Sequence, residues 1–413
     1  MKKILLTCAG ALLMSSSYAQ TVIDTVSLGT GYANQKWYSL QNDEQGSSAK
    51  NNWDIAFGTG SQGSTIMINS VTGTMLWGYP TADTSGWNTL DTTGLSTWTP
   101  RYNSDTSWAF GAFSMPRNMS NSSDLGWGNY SSITHYVTAD SLFVIKLANS
   151  TYKKLWIKHL QSGTYTFRYA NLNGTSDTTV SLAKATYTGK NFGYYSLQNN
   201  IALDREPLSA NWDLLFTQYT AFIPQPYSVT GVLSNKGLTA AKAYPVDTAN
   251  VSWTSYTFVT PINTIGYNWK SYSGTWTIED SLVYFAKTST GNIWKLTFTG
   301  FGGSSNGNYI FSKKMISATG IEDVNGESLG TLALYPNPSS GENTTIVYSI
   351  DKSVSSAVLN IYDLSGRKIQ SERLNNNPGF YQQQFSNQNL TAGMYLVSID
   401  LDGNHIQQKL IIK

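Results

Sequence analysis

Histidine is scarce in this 413-residue chain: His135, His159 and His405 are the three present. His405 reads as a surface residue of a late strand. His159 falls inside the strand-like run Leu155-Trp156-Ile157-Lys158-His159, where a solvent-facing or partly buried ring is expected. No Gly-x-Ser-x-Gly elbow, His-Glu-x-x-His helix or phosphate-binding glycine loop occurs. With 25 Asp and Glu in all, candidates for a paired-carboxylate glycosidase are few. These residues predict a protein that is not an enzyme. The side chains best suited to contact a ligand are aromatic. Trp87, Trp98, Trp108 and Trp127 crowd the irregular segment between Gly78 and Tyr130, among many Asn, Ser and Thr. Such rings can stack on sugar faces while the amides and hydroxyls supply hydrogen bonds; packing into an aromatic core is the commoner role.

The elements that must position these residues occur twice. Tyr38-Ser39-Leu40-Gln41-Asn42, Asn52-Trp53-Asp54-Ile55-Ala56-Phe57 and Ser70-Val71-Thr72-Gly73 return as Tyr195 to Asn199, Asn211 to Phe216 and Ser228 to Gly231. Asp140-Ser141-Leu142 and Trp156 return as Asp280-Ser281-Leu282 and Trp294. The offset shrinks between these blocks, so the second copy is shorter, and the loss falls in the Trp-rich middle. Copy one is assigned to residues 21–184 and copy two to 185–317. Trp53 and Trp212 are expected as core anchors. Asp54 and Asp213 are expected to satisfy backbone donors at a strand end. Ligand chemistry is expected in what the copies do not share, the stretch with Met115 and Met119 that ends at His135.

Composition sets the class. Charged and aromatic residues each make up 13% of the chain, and Tyr, Trp, Phe and Thr favour pleated, half-buried surfaces. Segments Thr65 to Asn69, Ser141 to Leu147, Lys154 to Leu160 and Thr164 to Ala170 alternate as strands do. The fold class is all-β: two tandem antiparallel domains plus a small C-terminal immunoglobulin-like β-sandwich. Residues 1–20 read as a secretory signal, with Lys2 and Lys3, an apolar run from Ile4 to Met14, and cleavage near Ala19 and Gln20. That run is about half the ~20 residues needed to span a bilayer. Cys8, the one cysteine, lies in this leader, so disulfides and thiolate chemistry are excluded from the mature chain. Net charge is +2, and zero without the two leader lysines. No electrostatic footprint for nucleic acid remains, and no transmembrane segment is predicted.

After a polar linker at 318–333, residues 334–413 change character. Tyr335-Pro336-Asn337-Pro338 opens a run of short alternating strands with tight turns at Asp363 to Lys368 and Asp402-Gly403-Asn404. Together with Ile361 to Lys368, Leu390 to Val397 and the closing Gln408-Lys409-Leu410-Ile411-Ile412-Lys413, this segment resembles the type A C-terminal sorting domain of the type IX secretion system of Bacteroidota. That resemblance implies engagement of the type IX machinery, export to the outer cell surface or beyond, and removal of the domain on arrival.

The duplicated module resembles the HmuY family of haem-binding proteins. The resemblance is carried by Trp37-Tyr38-Ser39-Leu40, by Trp53-Asp54-Ile55-Ala56-Phe57, and by the strand pattern of Leu142 to Ala170 and Leu282 to Phe311. It implies an all-β fold that captures extracellular haem between two axial side chains and hands it to an outer-membrane haem receptor. In copy one the implied ligands are His135 with Met115 or Met119; in copy two Thr275 stands at the position matching His135. Both side-chain types can hold haem iron. The competing expectation is a surface glycan-binding or adhesion protein without haem.

Overall fold

The computed structural model describes residues 21–61, 63–81, 83–317, 330–340, 343–350, 352–363 and 365–413. The expected leader, with the cleavage expected near Ala19 and Gln20, and most of the expected linker lie outside them. The chain is nearly all β, as expected, and divides into two compact units meeting between Ala318 and Thr319. Among the described residues the one α-helix is the single turn Gly303–Asn306.

The first unit contains two β-sandwiches. In sandwich one, Phe143–Lys146, Tyr152–Gln161, Thr164–Asn171 and Thr178–Ala183 run side by side with Met75–Gly78. Facing them is a four-stranded sheet in the order Ile201–Leu203, Phe192–Ser196, Ile55–Gly58, Ile66–Ile68. The period-2 alternation sends Ile55 and Phe57 into a core with Phe143, Leu155, Tyr165 and Phe167, while Ala56 points the other way. Sandwich two repeats this plan. Val22–Ser27, Asn308–Ser317, Ile293–Phe301, Val283–Lys287 and Thr239–Ala243 form one sheet. Pro226–Ser234, Leu214–Phe222, Asn34–Ser39 and Asp43–Ala49 form the other. Tyr38, Leu40, Phe216, Trp269, Phe298 and Phe311 fill the core between them.

The copies are not laid end to end. The Tyr-Ser-Leu strand of copy one pairs with the Trp-Asp strand of copy two, Tyr38 opposite Leu214 and Lys36 opposite Phe216. Reciprocally, Tyr195 pairs with Ile55 and Phe192 with Gly58. The first strand, Val22–Ser27, closes sandwich two by pairing with Asn308–Ser317. Sandwich one is therefore a continuous stretch from about Asp54 to Leu203, whereas sandwich two joins the N-terminal strands to those between Leu214 and Ser317. The structural division thus does not fall at 184/185, where the repeat places it, because the repeat is out of phase with the sandwiches.

Two matched blocks also prove not to be equivalent. Ile55 pairs with Ile68, and its counterpart Leu214 pairs with Ser234, so Asn69 corresponds to Asn235. Ser70–Thr72 is then a 3-10 turn beyond its strand, while Ser228 to Gly231 lie within one. Trp294 packs in the core of sandwich two, whereas Trp156 joins an outer cluster with Trp77, Trp87 and Leu142. A register difference of one residue sends a side chain to the opposite face.

The second unit is the expected small sandwich. A three-stranded sheet, Gly330–Tyr335, Asn343–Ile350 and Gly379–Ser386, accompanies a four-stranded one, Lys368–Arg373, Ala357–Asp363, Gly393–Leu401 and Asn404–Ile412. Ile346, Tyr348, Leu359, Ile361, Val397 and Leu410 form its core. The end of the expected linker, from Gly330, is already strand. The Asp363 carboxylate closes the turn by accepting from the Ser365 hydroxyl and from the N–H groups of Ser365 and Arg367. Those bonds hold its pKa at about 2, led by the Ser365 hydroxyl.

Candidate functional site

The expected haem ligands are not brought together. His135 sits exposed on a turn with φ 60°, its Nδ1 2.7 Å from the Tyr130 hydroxyl. It lines a broad groove of about 920 Å3 with Tyr130, Val137, Leu160 and Lys184. Met115 and Met119 are not among the residues lining that groove. They are 51% and 71% exposed, and the Met115 sulfur accepts the Tyr102 N–H at 2.9 Å. His159 stands half-buried on its strand, its pKa lowered chiefly by burial. His405 lies 3.8 Å from Asp400 in the C-terminal unit.

Nor do the four tryptophans of the irregular segment form one platform. Trp127 is fully buried in the core of sandwich one, its indole donating to the Ser64 carbonyl at 3.0 Å. Trp87 and Trp98 belong to the outer cluster on the far side of that sandwich. Trp108 alone reaches the seam between the sandwiches, where it packs in two clusters and donates to the Ser234 carbonyl at 2.8 Å.

That seam is where the twin blocks meet. The Asp54 carboxylate accepts from the Ser196 hydroxyl and the Gln198 N–H, both at 3.1 Å. Asp213 accepts from the Leu40 N–H at 2.8 Å. Each Asp thus satisfies backbone donors, as expected, but those of the other copy's Tyr-Ser-Leu strand. Burial raises both carboxyl pKa values, opposed by these hydrogen bonds. Asn69 and Asn235 are a second matched pair. Each turns its amide onto the carbonyl of its own Trp, Trp53 at 2.9 Å and Trp212 at 2.6 Å.

Because the inner faces of the two four-stranded sheets fill the cores, their outer faces meet each other. One contributes Trp37, Trp212, Leu215 and Tyr219; the other contributes Ala56, Met67, Phe192 and Tyr194. The Arg205 guanidinium packs 4.9 Å from the Tyr194 ring centre, 5.6 Å from Trp37 and 5.7 Å from Trp53, tying the faces together. Beside it, Glu206 is buried and accepts from the Phe192 N–H at 2.9 Å, the Tyr194 hydroxyl at 2.7 Å and the Asn191 N–H. Burial raises its pKa.

Between the faces lies a cavity of about 90 Å3, walled by Trp37, Trp53, Trp108, Tyr194, Trp212 and Tyr219. Three of these carry buried polar atoms without a hydrogen-bond partner: Trp53 Nε1, Trp212 Nε1 and the Tyr219 hydroxyl. Asp105, half-buried at the wall, accepts from Asn263 at 3.2 Å. The cavity therefore lies at the shared blocks, with Trp108 the one contribution from the tryptophans of the unshared stretch. Sequence reasoning missed it because the repeat assigns the facing walls to separate domains. The usable signal was the matched pair Trp53 and Trp212.

Residues 333–413 match the family described as secretion system C-terminal sorting domain. This segment is a type IX sorting domain, and it marks the protein for export to the cell surface or outside. No helix among the described residues is long and apolar enough to cross a membrane. No curated protein matches the chain. Among solved structures it is similar to dimeric latent PorU from Porphyromonas gingivalis, with 10% identity over 94% of this chain and a TM-score of 0.19. The match covers 34% of the PorU chain, so the chain spans about a third of that length. A biofilm-associated protein BSP domain gives 10% identity, 100% and 83% coverage and a TM-score of 0.18. The trimeric ectodomain of the C. elegans fusion protein EFF-1 gives 9%, 66% and 68%, and 0.17. At these scores no shared fold is implied.

Proposed function

We propose that the exported protein is a non-enzymatic binding protein that captures an extracellular carbohydrate in the cavity between the sandwiches. The observation that carries this reading is a cavity walled by six aromatic rings, with the polar residues Gln35, Asn103, Asp105 and Gln218 also in its lining. Aromatic faces take the apolar side of a ligand, and a few placed polar groups fix its orientation. Binding of the secreted protein to a glycan array tests it. Trp108→Ala should abolish the signal and Trp98→Ala, on the outer cluster, should leave it intact; equal loss in both would sink the assignment.

Haem capture with transfer to an outer-membrane receptor is the second reading, and one observation favours it. His135 lies on a groove large enough for a tetrapyrrole. Met115 and Met119, the other implied ligands, do not line it. A Soret band on haem titration that disappears in His135→Ala would restore this reading. An unchanged spectrum would remove it.

A further inference from the structure

We infer that a groove on the first unit binds the chain of an acidic polysaccharide, whose carboxylate or sulfate groups meet Lys184, Lys236 and Arg117. Two hollows make the groove. One, of about 920 Å3, carries Lys184, Lys190 and Lys236; the other, of about 750 Å3, carries Arg117 and again Lys236. They share Gly63, Ser64, Leu125 and Lys236, so they adjoin, and Lys236 stands where they meet. Sandwich one supplies Lys184 and Arg117, and sandwich two supplies Lys236. A continuous trough of that size suits a polymer better than one small molecule. The site is separate from the seam cavity, which none of these three residues lines.

Charge segregation carries the inference. The whole chain balances 27 Lys and Arg against 25 Asp and Glu. The groove nevertheless collects Lys184, Lys190, Lys236 and Arg117 with no carboxylate among its lining residues. A cleft lined by one sign of charge concentrates ligands of the other sign. Three neighbouring acids are already engaged. Asp204 pairs with Lys190 and neutralises it. Glu206 interacts with Lys236 through its charge, but it is buried and accepts from three donors. Asp124, beside Leu125, accepts from the N–H groups of Asn118 and Gly126. Lys184 donates to the carbonyls of Gly60 and Gly63, and Lys236 is exposed, its ammonium 5.0 Å from the Phe192 ring centre. Among the described residues, no ion pair involves Lys184, Lys236 or Arg117.

Hydroxyls select the kind of polyanion. Serine and threonine are the commonest residues lining both hollows, and each hydroxyl both donates and accepts. That matches a chain whose charges are separated by sugar hydroxyls. A single-stranded nucleic acid calls instead for a row of aromatic faces. Here Phe192 is buried and Trp108 packs into the seam. Tyr130 is the ring that remains, and its hydroxyl is tied to His135.

The test uses the secreted protein with immobilised polygalacturonate and dextran sulfate as probes. At least one should hold the protein at about 50 mM salt and release most of it at about 300 mM, where exposed charges are screened. Retention by the first alone assigns the groove to carboxylates, and by the second alone to sulfates. Fully methyl-esterified polygalacturonate, the same chain without its charges, should not bind. Lys236→Gln and Arg117→Gln should each weaken binding about two- to fivefold, the range of one exposed ion pair, and the double variant more. Lys242→Gln, at an exposed lysine outside the groove, should leave binding unchanged. Single-stranded DNA held as tightly, and weakened by the same variants, would overturn the polysaccharide in favour of a nucleic acid. No retention at the lower salt, or an equal loss in Lys242→Gln, would overturn the groove as a site. Retention and its salt dependence are read on the unsubstituted protein, so they decide the matter even if a variant does not fold.

Discussion

Sandwich one and sandwich two follow the same plan but draw on the chain differently. The first is continuous and completes itself with the strand Phe192–Ser196 that follows directly in sequence. The second waits for its own first strands, Val22–Ser27 and Asn34–Ser39, to meet strands beginning at Asn308 and Leu214. The contrast teaches that a repeat seen in sequence and a unit of packing can be offset, so that each copy is finished by the head of the other. The seam with its cavity follows directly, because the exchanged strands are the ones whose outer faces meet.

The largest expected effect comes from removing residues 21–28. Val26 and Leu28 are buried in sandwich two. At about 1.5–3 kcal/mol for each large side chain, the cost is roughly 3–6 kcal/mol before the lost strand pairing is counted. Hydrogen exchange should show protection collapsing along Asn308–Ser317 while Thr164–Asn171 keeps its own. Equal loss in both would mean the sandwiches form one cooperative unit, and the comparison would fail. Next come the reciprocal latches. Asp54→Ala leaves the Gln198 N–H and Ser196 hydroxyl unpaired, and Asp213→Ala leaves the Leu40 N–H. Each should cost about 1–3 kcal/mol in urea unfolding, with Asp54 the larger.

A smaller effect separates the sandwiches by pH. Lys270 of sandwich two sits against the rings of Trp269 and Phe301, its ammonium donating to the Thr230 carbonyl at 2.6 Å. Burial pushes its pKa down to about 7. Lys184 of sandwich one is lowered, by burial, to about 8. An unfolded lysine titrates near about 10.4. Between the folded and unfolded values the unfolded chain holds the extra proton, so stability rises with pH across that window. The window opens lower for Lys270, so Lys270→Met should flatten the urea midpoint between neutral pH and its upper end more than Lys184→Met does. The reverse order would locate the buried amine in the other sandwich. Smallest of all, Met119→Ala at its 71% exposed position should change stability by less than about 0.5 kcal/mol.

Much of the fold was legible in the sequence. Alternation located the strands Tyr152–Gln161 and Thr164–Asn171, and the run of short strands expected after Tyr335-Pro336-Asn337-Pro338 is present. The twin Trp-Asp blocks marked real structural equivalents. What could not be read was pairing across the chain, since nothing local to Tyr38 says that Leu214 lies opposite. The Ser-Val-Thr-Gly match misled because identical residues sat in a turn in one copy and a strand in the other. The candidate site was hidden for the same reason. Trp53 and Trp212 were visible as anchors, but only strand exchange sets them against one cavity.

The pairing of Val22–Ser27 with Asn308–Ser317 also sets a clock for the export route. The strand made first must wait for about 280 further residues before its partner exists. At synthesis rates of about 5–20 residues per second that is roughly a quarter of a minute to a minute. Throughout that interval a newly made chain carries an open strand edge that could pair with a neighbour. Asn34–Ser39 waits in the same way for Leu214–Phe222, so a carrier that shields both N-terminal strands would guard the two edges that sandwich one cannot close.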